Sequence, residues 1–139
     1  MNHGSLGPTT GILKAISHPA RLRVLAMLRS GGLCVCQVAA AMGSPVSTVS
    51  EHLGELKRAG LVLERREGRW VSYSLTDEAP ALLNHIWGLI GNDPLVRQEE
   101  RLVRRLRRLP VTELCDAGLD LARFGLKPAS RRRRPWRRR

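Results

Sequence analysis

Aromatic residues, acidic residues and cysteine are all scarce in this chain. Only 4% of its 139 residues are Phe, Trp or Tyr, so the core must be built from aliphatic side chains, and a chain of this length buries a modest one. Pairing with a second copy would enlarge it. Twelve Asp and Glu stand against 24 Lys and Arg, a net charge of +12. The surplus is uneven, because Arg131–Arg134 and Arg137–Arg139 supply seven positive charges and leave +5 on residues 1–130. Such a balance favours a polyanionic partner, either nucleic acid or an anionic membrane surface.

Long apolar runs are also missing. The stretch LLNHIWGLIG (82–91) is too short and interrupted to cross a bilayer, and MNHGSLGPTTG at the start lacks the charged-then-apolar order of a secretion signal. The expectation is a soluble cytoplasmic protein with no membrane partner. In that reducing compartment Cys34, Cys36 and Cys115 speak for metal binding, redox sensing or packing rather than for structural disulfides.

What is present is helical periodicity. Residues 1–9, punctuated by Gly4, Gly7 and Pro8, are expected to be flexible, and 10–92 to form one domain. ILKAISHPARLRVLAMLRSGG reads as two helices meeting at Ser17–Pro19, the second ended by Gly31 and Gly32. A short helix is predicted from about Val35 to Met42, stopped by Gly43. The next begins near SPVS and places Val46, Val49, Leu53 and Leu56 on one buried face, with Ser47, Thr48, Ser50, Glu51, Lys57 and Arg58 on the other. These two helices and their tight turn make a helix-turn-helix. LVLERREGRWVSYSL then reads as a β-hairpin about Glu67-Gly68, with Arg65, Arg66 and Arg69 near its tip. The expected fold is therefore mainly α with a β-hairpin wing, a winged helix-turn-helix. Beyond it come a helix over Glu78–Ile90, a helical extension over 93–127 with an amphipathic segment at 95–109 and a short helix containing Cys115, and a low-complexity tail over 128–139 expected to be disordered.

Ser47, Thr48 and Ser50 fall in the first turns of the recognition helix, where side chains and amides reach phosphates and base edges. Glu51 can accept from cytosine N4 or point away from the duplex; His52 serves either DNA contact or packing. His18 reads as a helix boundary, and no two histidines form a metal-ligand pattern. No nucleophile, base and orienting group stand together, so the chain is not expected to be an enzyme.

SHPARLRVLAML, STVSEHLGELKRAGLV and REGRWVSYSL, in that order, resemble the ArsR/SmtB family of winged-helix repressors along residues 12–90. The resemblance implies a homodimer that binds operator double-stranded DNA without ligand and releases it on binding a metal or metalloid. It also implies a dimer interface made by the helices around Ile12–Ser17 and Glu78–Ile90. LCVCQV (33–38) looks like the arsenic-sensing branch, which makes Cys34 and Cys36 ligands of As(III) or Sb(III) as inducer, with no permanently bound cofactor. Two departures stand out: Ala39 and Ala40 occupy the place where a third cysteine often follows, and His85 lacks the aspartate and histidine partners of the family's zinc sites.

Cys34-Val35-Cys36-Gln37 has capping-box spacing, with cysteine where serine or threonine is usual. A helix start is expected to lower thiol pKa and favour the thiolate that binds soft metalloids. Two residues apart on a regular helix, side chains diverge by about 200°, so capture by both sulfurs is expected to unwind the first turn. A trigonal site takes a third donor: Cys115, from the same subunit or across the dimer, or else a small thiol or water. Two other readings remain at this point. Cys34 or Cys36 can pair with Cys115 on oxidation, making a thiol-based redox repressor, or the arginine tail can drive nonspecific, architectural nucleic-acid binding.

Overall fold

Ser17, His18 and Pro19 interrupt the first apolar run, and the chain breaks there. In the computed structural model, which describes residues 6–130, helix α1 (Leu6–Ile16) ends before the break and α2 (Pro19–Leu28) begins on the proline. His18 is its N-cap: the extended backbone lets Nδ1 accept from the Ala20 N–H at 3.1 Å. Helix α1 starts earlier than a flexible segment over 1–9 allows. Gly7 and Pro8 lie in its first turn, where the N–H that proline lacks has no helical partner anyway.

A two-residue strand, β1 (Leu33–Cys34), precedes α3 (Val35–Met42). The sequence does not announce it, because two residues are too few to display an alternation. Gly43 closes α3 at φ 62°, and the amides of Gly43 and Ser44 bond to the Ala40 and Ala39 carbonyls at 3.2 and 3.1 Å. Helix α4 (Val46–Arg58) follows and completes the helix-turn-helix. It buries Val49, Leu53 and Leu56 entirely, but Val46 is 37% exposed. Val46 belongs to the same stripe and sits at the helix end, where it projects past the core.

The hairpin forms as expected, with its turn at Gly68-Arg69, one residue beyond the Glu67-Gly68 turn the sequence suggests. Strand β2 (Val62–Glu67) pairs with β3 (Trp70–Leu75) from Val62↔Leu75 to Glu67↔Trp70. Gly68 supplies the positive φ, 58°, that a two-residue hairpin loop requires. Strand β1 adds to the far side of β3 through Leu33↔Tyr73 and Cys34↔Ser72, giving the order β1-β3-β2.

Helix α5 (Ala79–Ile90) comes next, then α6 (Pro94–Leu106), capped by Asp93, whose Oδ1 accepts from Leu95 N–H at 2.9 Å. The helix stops at Leu106, short of the 109 that its leucines suggest. Helix α7 (Val111–Asp116) is followed by a turn in which Gly118 and Leu119 both take φ 62°, then by a 3₁₀ turn at Leu121–Phe124. Helix α6 packs on α2 and α3, and α7 packs on α3. One ion pair locks α6 in place: Arg23 of α2 donates through Nε and Nη2 to both oxygens of Glu99, at 2.8 and 2.9 Å, and Glu99 is 1% exposed.

Two further attachments hold the segment after α5, one to the loop before β1 and one to the end of α3. Before β1, Arg107 Nη1 donates to Gly32 O at 2.7 Å, and Nη2 to Gly31 O at 2.8 Å and Ser30 Oγ at 3.2 Å. Beyond α3, the Ala129 N–H donates to Ala41 O at 3.0 Å. The packed chain thus includes Pro128–Ser130, which composition assigns to the start of a disordered tail; the remainder of that tail, 131–139, lies outside the described residues, as do residues 1–5. Arg107→Ala should lower unfolding stability by about 1–2 kcal/mol, because a charged donor to two carbonyls is removed at a surface site. Urea titration checks this; an unchanged midpoint means the clamp contributes nothing.

Candidate functional site

Helix α4 offers a polar face because its apolar residues recur every three or four positions and leave the rest outside. Ser47, Thr48, Ser50 and Glu51 are all exposed. His52 differs. It is half-buried, its Nδ1 accepts from Arg21 Nε at 3.4 Å, and its ring lies 4.7 Å from that of His18. Burial first, then the charges of His18 and Arg21, hold its pKa below the ordinary range, which keeps the ring neutral and able to accept. His52 therefore ties the recognition helix to α2, and its packing role is the one the geometry favours. Arg21 carries no signal of this role in the sequence, since its partner stands 31 residues away.

Arg65, Arg66 and Arg69 are exposed on the wing. Each has a local partner: Arg65 stands 3.9 Å from Glu67, Arg66 3.6 Å from Glu64, and Arg69 lies over the Trp70 ring at 4.9 Å. Lys57 of α4 also bonds Glu64, at 2.6 Å. Solvent-exposed pairs of this kind are weak, so these cations can exchange carboxylate for phosphate at little cost.

The three cysteines lie together although Cys115 stands far along the chain from Cys34 and Cys36. Cys34 closes β1 and is the N-cap of α3, with extended backbone at φ −69°, ψ 147°; Cys36 is in the first turn of α3; α7 lays Cys115 against that turn. Gln37 Oε1 accepts from the Cys34 N–H at 2.8 Å, making one arm of the expected capping box. In the other arm the Gln37 backbone N–H points at Cys34 Sγ, a sulfur contact rather than a conventional cap bond. All three thiols are free; Cys34 is buried, Cys36 and Cys115 half-buried.

Two expectations need correction here. Burial, a hydrogen bond with Cys115 and the proximity of Cys34 push the Cys36 thiol up to about 12, where a helix start was expected to bring it down. Crowding of like groups and desolvation outweigh the helix dipole. Nor must the first turn unwind for the two sulfurs of the CVC stretch to meet. Cys34 is outside the helix, so the 200° divergence of helical neighbours does not apply, and Cys36 already interacts with both other thiols. Contact is not convergence, however: among the described residues no three His, Cys, Asp or Glu side chains are arranged to hold a metal ion as they stand.

Leu6 and Leu13 on α1 and Leu82 and Leu89 on α5 are exposed, the first and last at 86% and 83%. No helix among the described residues is long and apolar enough to cross a membrane.

Comparison with known proteins agrees with this geometry. Residues 18–63, from the α2 N-cap into the wing, match the description "Bacterial regulatory protein, arsR family". The arsenical resistance operon repressor of Escherichia coli is 30% identical over 105 residues, 75% of this chain and 86% of that protein. A cadmium resistance transcriptional regulatory protein CadC homolog of Staphylococcus aureus is 43% identical over 68 residues, 48% of this chain and 56% of its own length. Among solved structures, the homodimeric winged helix-turn-helix domain of Mb0332 from Mycobacterium bovis aligns with TM-score 0.57 and 29% identity, covering 63% of this chain and 87% of that one. Relatives and structural neighbours alike are transcriptional regulators. With a helix-turn-helix, a wing and a repressor matched over most of its length, the chain belongs to the ArsR family of winged-helix transcriptional repressors.

Proposed function

We propose that the protein is a cytoplasmic, metalloid-responsive repressor that grips operator DNA as an apo dimer and is released when As(III) or Sb(III) bonds to Cys34, Cys36 and Cys115. The observation that carries this reading is the meeting of all three cysteines of the chain at one helix start. Soft thiolates suit a trigonal metalloid, and among the described residues no histidine or carboxylate joins them in a metal-holding group. The chemistry balances without a redox step. Arsenous acid brings three hydroxides; each takes one thiol proton and leaves as water while an As–S bond forms.

A route from the thiols to the DNA face is available. Cys34 is paired to Ser72 of β3, which in turn pairs with Arg65 on the wing, and α3 packs on α4. Turning Cys34 and Cys36 toward a common ion would therefore load both elements that face DNA. A coupling on the order of 1–3 kcal/mol, typical of linked sites, corresponds to roughly 5–150-fold weaker operator binding. The exposed leucines of α1 and α5 supply the apolar surface that a homodimer would cover.

The contact of Cys36 with Cys115 also favours a second reading, oxidation to a disulfide that changes the same packing. The high thiol pKa of Cys36 weighs against it, since peroxide attacks thiolates and Cys36 is protonated at neutral pH. Operator release should be compared for arsenite, antimonite, cadmium, zinc and peroxide. Release by arsenite that survives Cys34→Ser with Cys36→Ser would place sensing elsewhere; release by peroxide alone would favour the disulfide.

A further inference from the structure

Three helices meet around Arg21 and His52. Arg21, in the first turn of α2, donates through Nη1 to the Ala15 carbonyl at the end of α1 and through Nε to His52 Nδ1 on α4, each at 3.4 Å. On α4, His52 stands between Val49 and Leu56, at the border of the buried stripe and the polar face that holds Thr48 and Glu51. The His18 ring, at the N-cap of α2, lies 4.7 Å from the His52 ring and is tilted against it by 55°. The charged and titratable groups acting on His52 are thus His18 and Arg21 from the α2 side and Glu51 from its own helix. Glu55, next along α4, is paired with Arg58 and also feels Arg21; α1 contributes a carbonyl already bonded to Arg21.

A neutral imidazole has one nitrogen that accepts. In both rings it is Nδ1: that of His18 takes the Ala20 N–H, and that of His52 takes the Arg21 Nε–H. A further proton must go to the same atom, and arginine, always charged, cannot become the acceptor in turn. Protonation of His52 therefore removes the bond and sets an imidazolium against a guanidinium. Glu51 opposes this, but its pull is the weakest of the influences on the ring. We infer that Arg21 and His52 form a proton-sensitive tether that seats the recognition helix for its operator, so that acid loosens specific binding. The inference rests on the family's binding of DNA and deepens the operator reading by adding the proton as a signal that does not pass through the thiols. Burial, His18 and Arg21 hold the His52 pKa below the ordinary range. The tether's contribution is therefore complete above the ordinary histidine value and is lost as pH falls below it.

A phosphate contact at the same residue would have the opposite sign, since an imidazolium against the DNA backbone strengthens binding in acid. Linkage sharpens the contrast: if a proton on His52 weakens operator binding, the operator must weaken proton binding by the same factor. The test measures the full chain on an operator duplex and on a scrambled duplex of equal length between about pH 7.5 and about pH 5.5, and follows the His52 ring by proton NMR with and without operator. Preference for the operator should fall about fivefold or more over that range, and His52 should titrate lower in the complex than in the free protein. His52→Gln keeps an oxygen that accepts from Arg21 and does not titrate, so its preference should stay level. His18→Ser keeps an N-cap and removes a neighbour that disfavours the charge, so the drop should persist and move to higher pH. Operator preference indifferent to acid in the unaltered chain overturns the inference, as does a drop of equal size in His52→Gln. A His52 pKa that rises on operator binding overturns it too, and makes the ring a phosphate contact. Failure of every form to prefer the operator at about pH 7.5 sinks the operator reading itself, a result distinct from specific binding that acid leaves unchanged.

Discussion

Cys36→Ser is expected to raise the arsenite concentration needed for operator release by about a hundredfold or more. Cys36 is the thiol that touches both others, so its replacement removes a donor and separates the remaining two; supporting groups around a metal site already account for 10–100-fold in affinity. Cys115→Ser should have a smaller effect, because water can take the third position. Operator binding without inducer should stay as it is in both variants. The raised Cys36 pKa adds a contrast in pH. Arsenous acid carries the hydroxides that accept the thiol protons, so its effect should vary little between pH 6 and 8. Cadmium brings no base and must expel each proton to solvent, so its apparent affinity should rise about tenfold per pH unit for each thiol deprotonated. Fluorescence anisotropy on labelled operator reads both. Equal arsenite sensitivity in Cys36→Ser would remove this residue from the site.

Arg23→Ala is the substitution expected to damage the fold most. Glu99 is 1% exposed and its carboxylate takes both of its close hydrogen bonds from Arg23. Breaking a buried pair from one side typically costs about 3–5 kcal/mol, since the remaining charge is left without a partner. For a chain of this size that is roughly 10 °C or more in melting temperature. Burial raises the Glu99 pKa despite the pull of Arg23, which fixes the sign of the pH dependence. A carboxyl whose folded pKa exceeds its unfolded value binds protons better when folded, so its contribution falls as pH rises from the ordinary carboxylate value through the raised one, then levels off. Without Arg23 the folded pKa climbs further. The deficit of the variant should be largest near neutrality and shrink toward acid. Arg23→Ala with Glu99→Leu should recover much of the stability, because no buried charge remains. Thermal melts across pH settle it; a drop under 1 kcal/mol at pH 7 would mean that water or another group replaces Arg23.

The helix-turn-helix and wing are legible in the sequence because each depends on local spacing. Val49, Leu53 and Leu56 mark a buried stripe, Gly43 and Gly68 occupy turns that need positive φ, and Pro19 sits at a helix start. Strand β1 is not legible, since two residues carry no period and their partner lies some forty residues on. It is nonetheless what joins Cys34 to the wing. Glu99 does leave a sign: it falls on the same helical stripe as Leu95, Leu102 and Leu106, the place of a buried residue, and a carboxylate there requires a cation. The sign does not name Arg23. For the thiols, spacing puts Cys34 and Cys36 at a helix start, but the approach of Cys115 depends on how α7 folds back, which the amphipathic pattern of α6 leaves open. The direction of the Cys36 pKa escapes local reasoning for the same cause, because the burial that chiefly raises it, and the Cys115 thiol that adds to it, depend on the fold rather than on the helix start.

X-ray absorption at the arsenic edge, on the full chain loaded with one equivalent of arsenite, would count the ligands directly. Three sulfur neighbours per arsenic are expected, falling to two sulfurs and one oxygen in Cys115→Ser. A wild-type spectrum with fewer than three sulfurs, or one that Cys115→Ser leaves unaltered, would contradict capture by Cys34, Cys36 and Cys115 together.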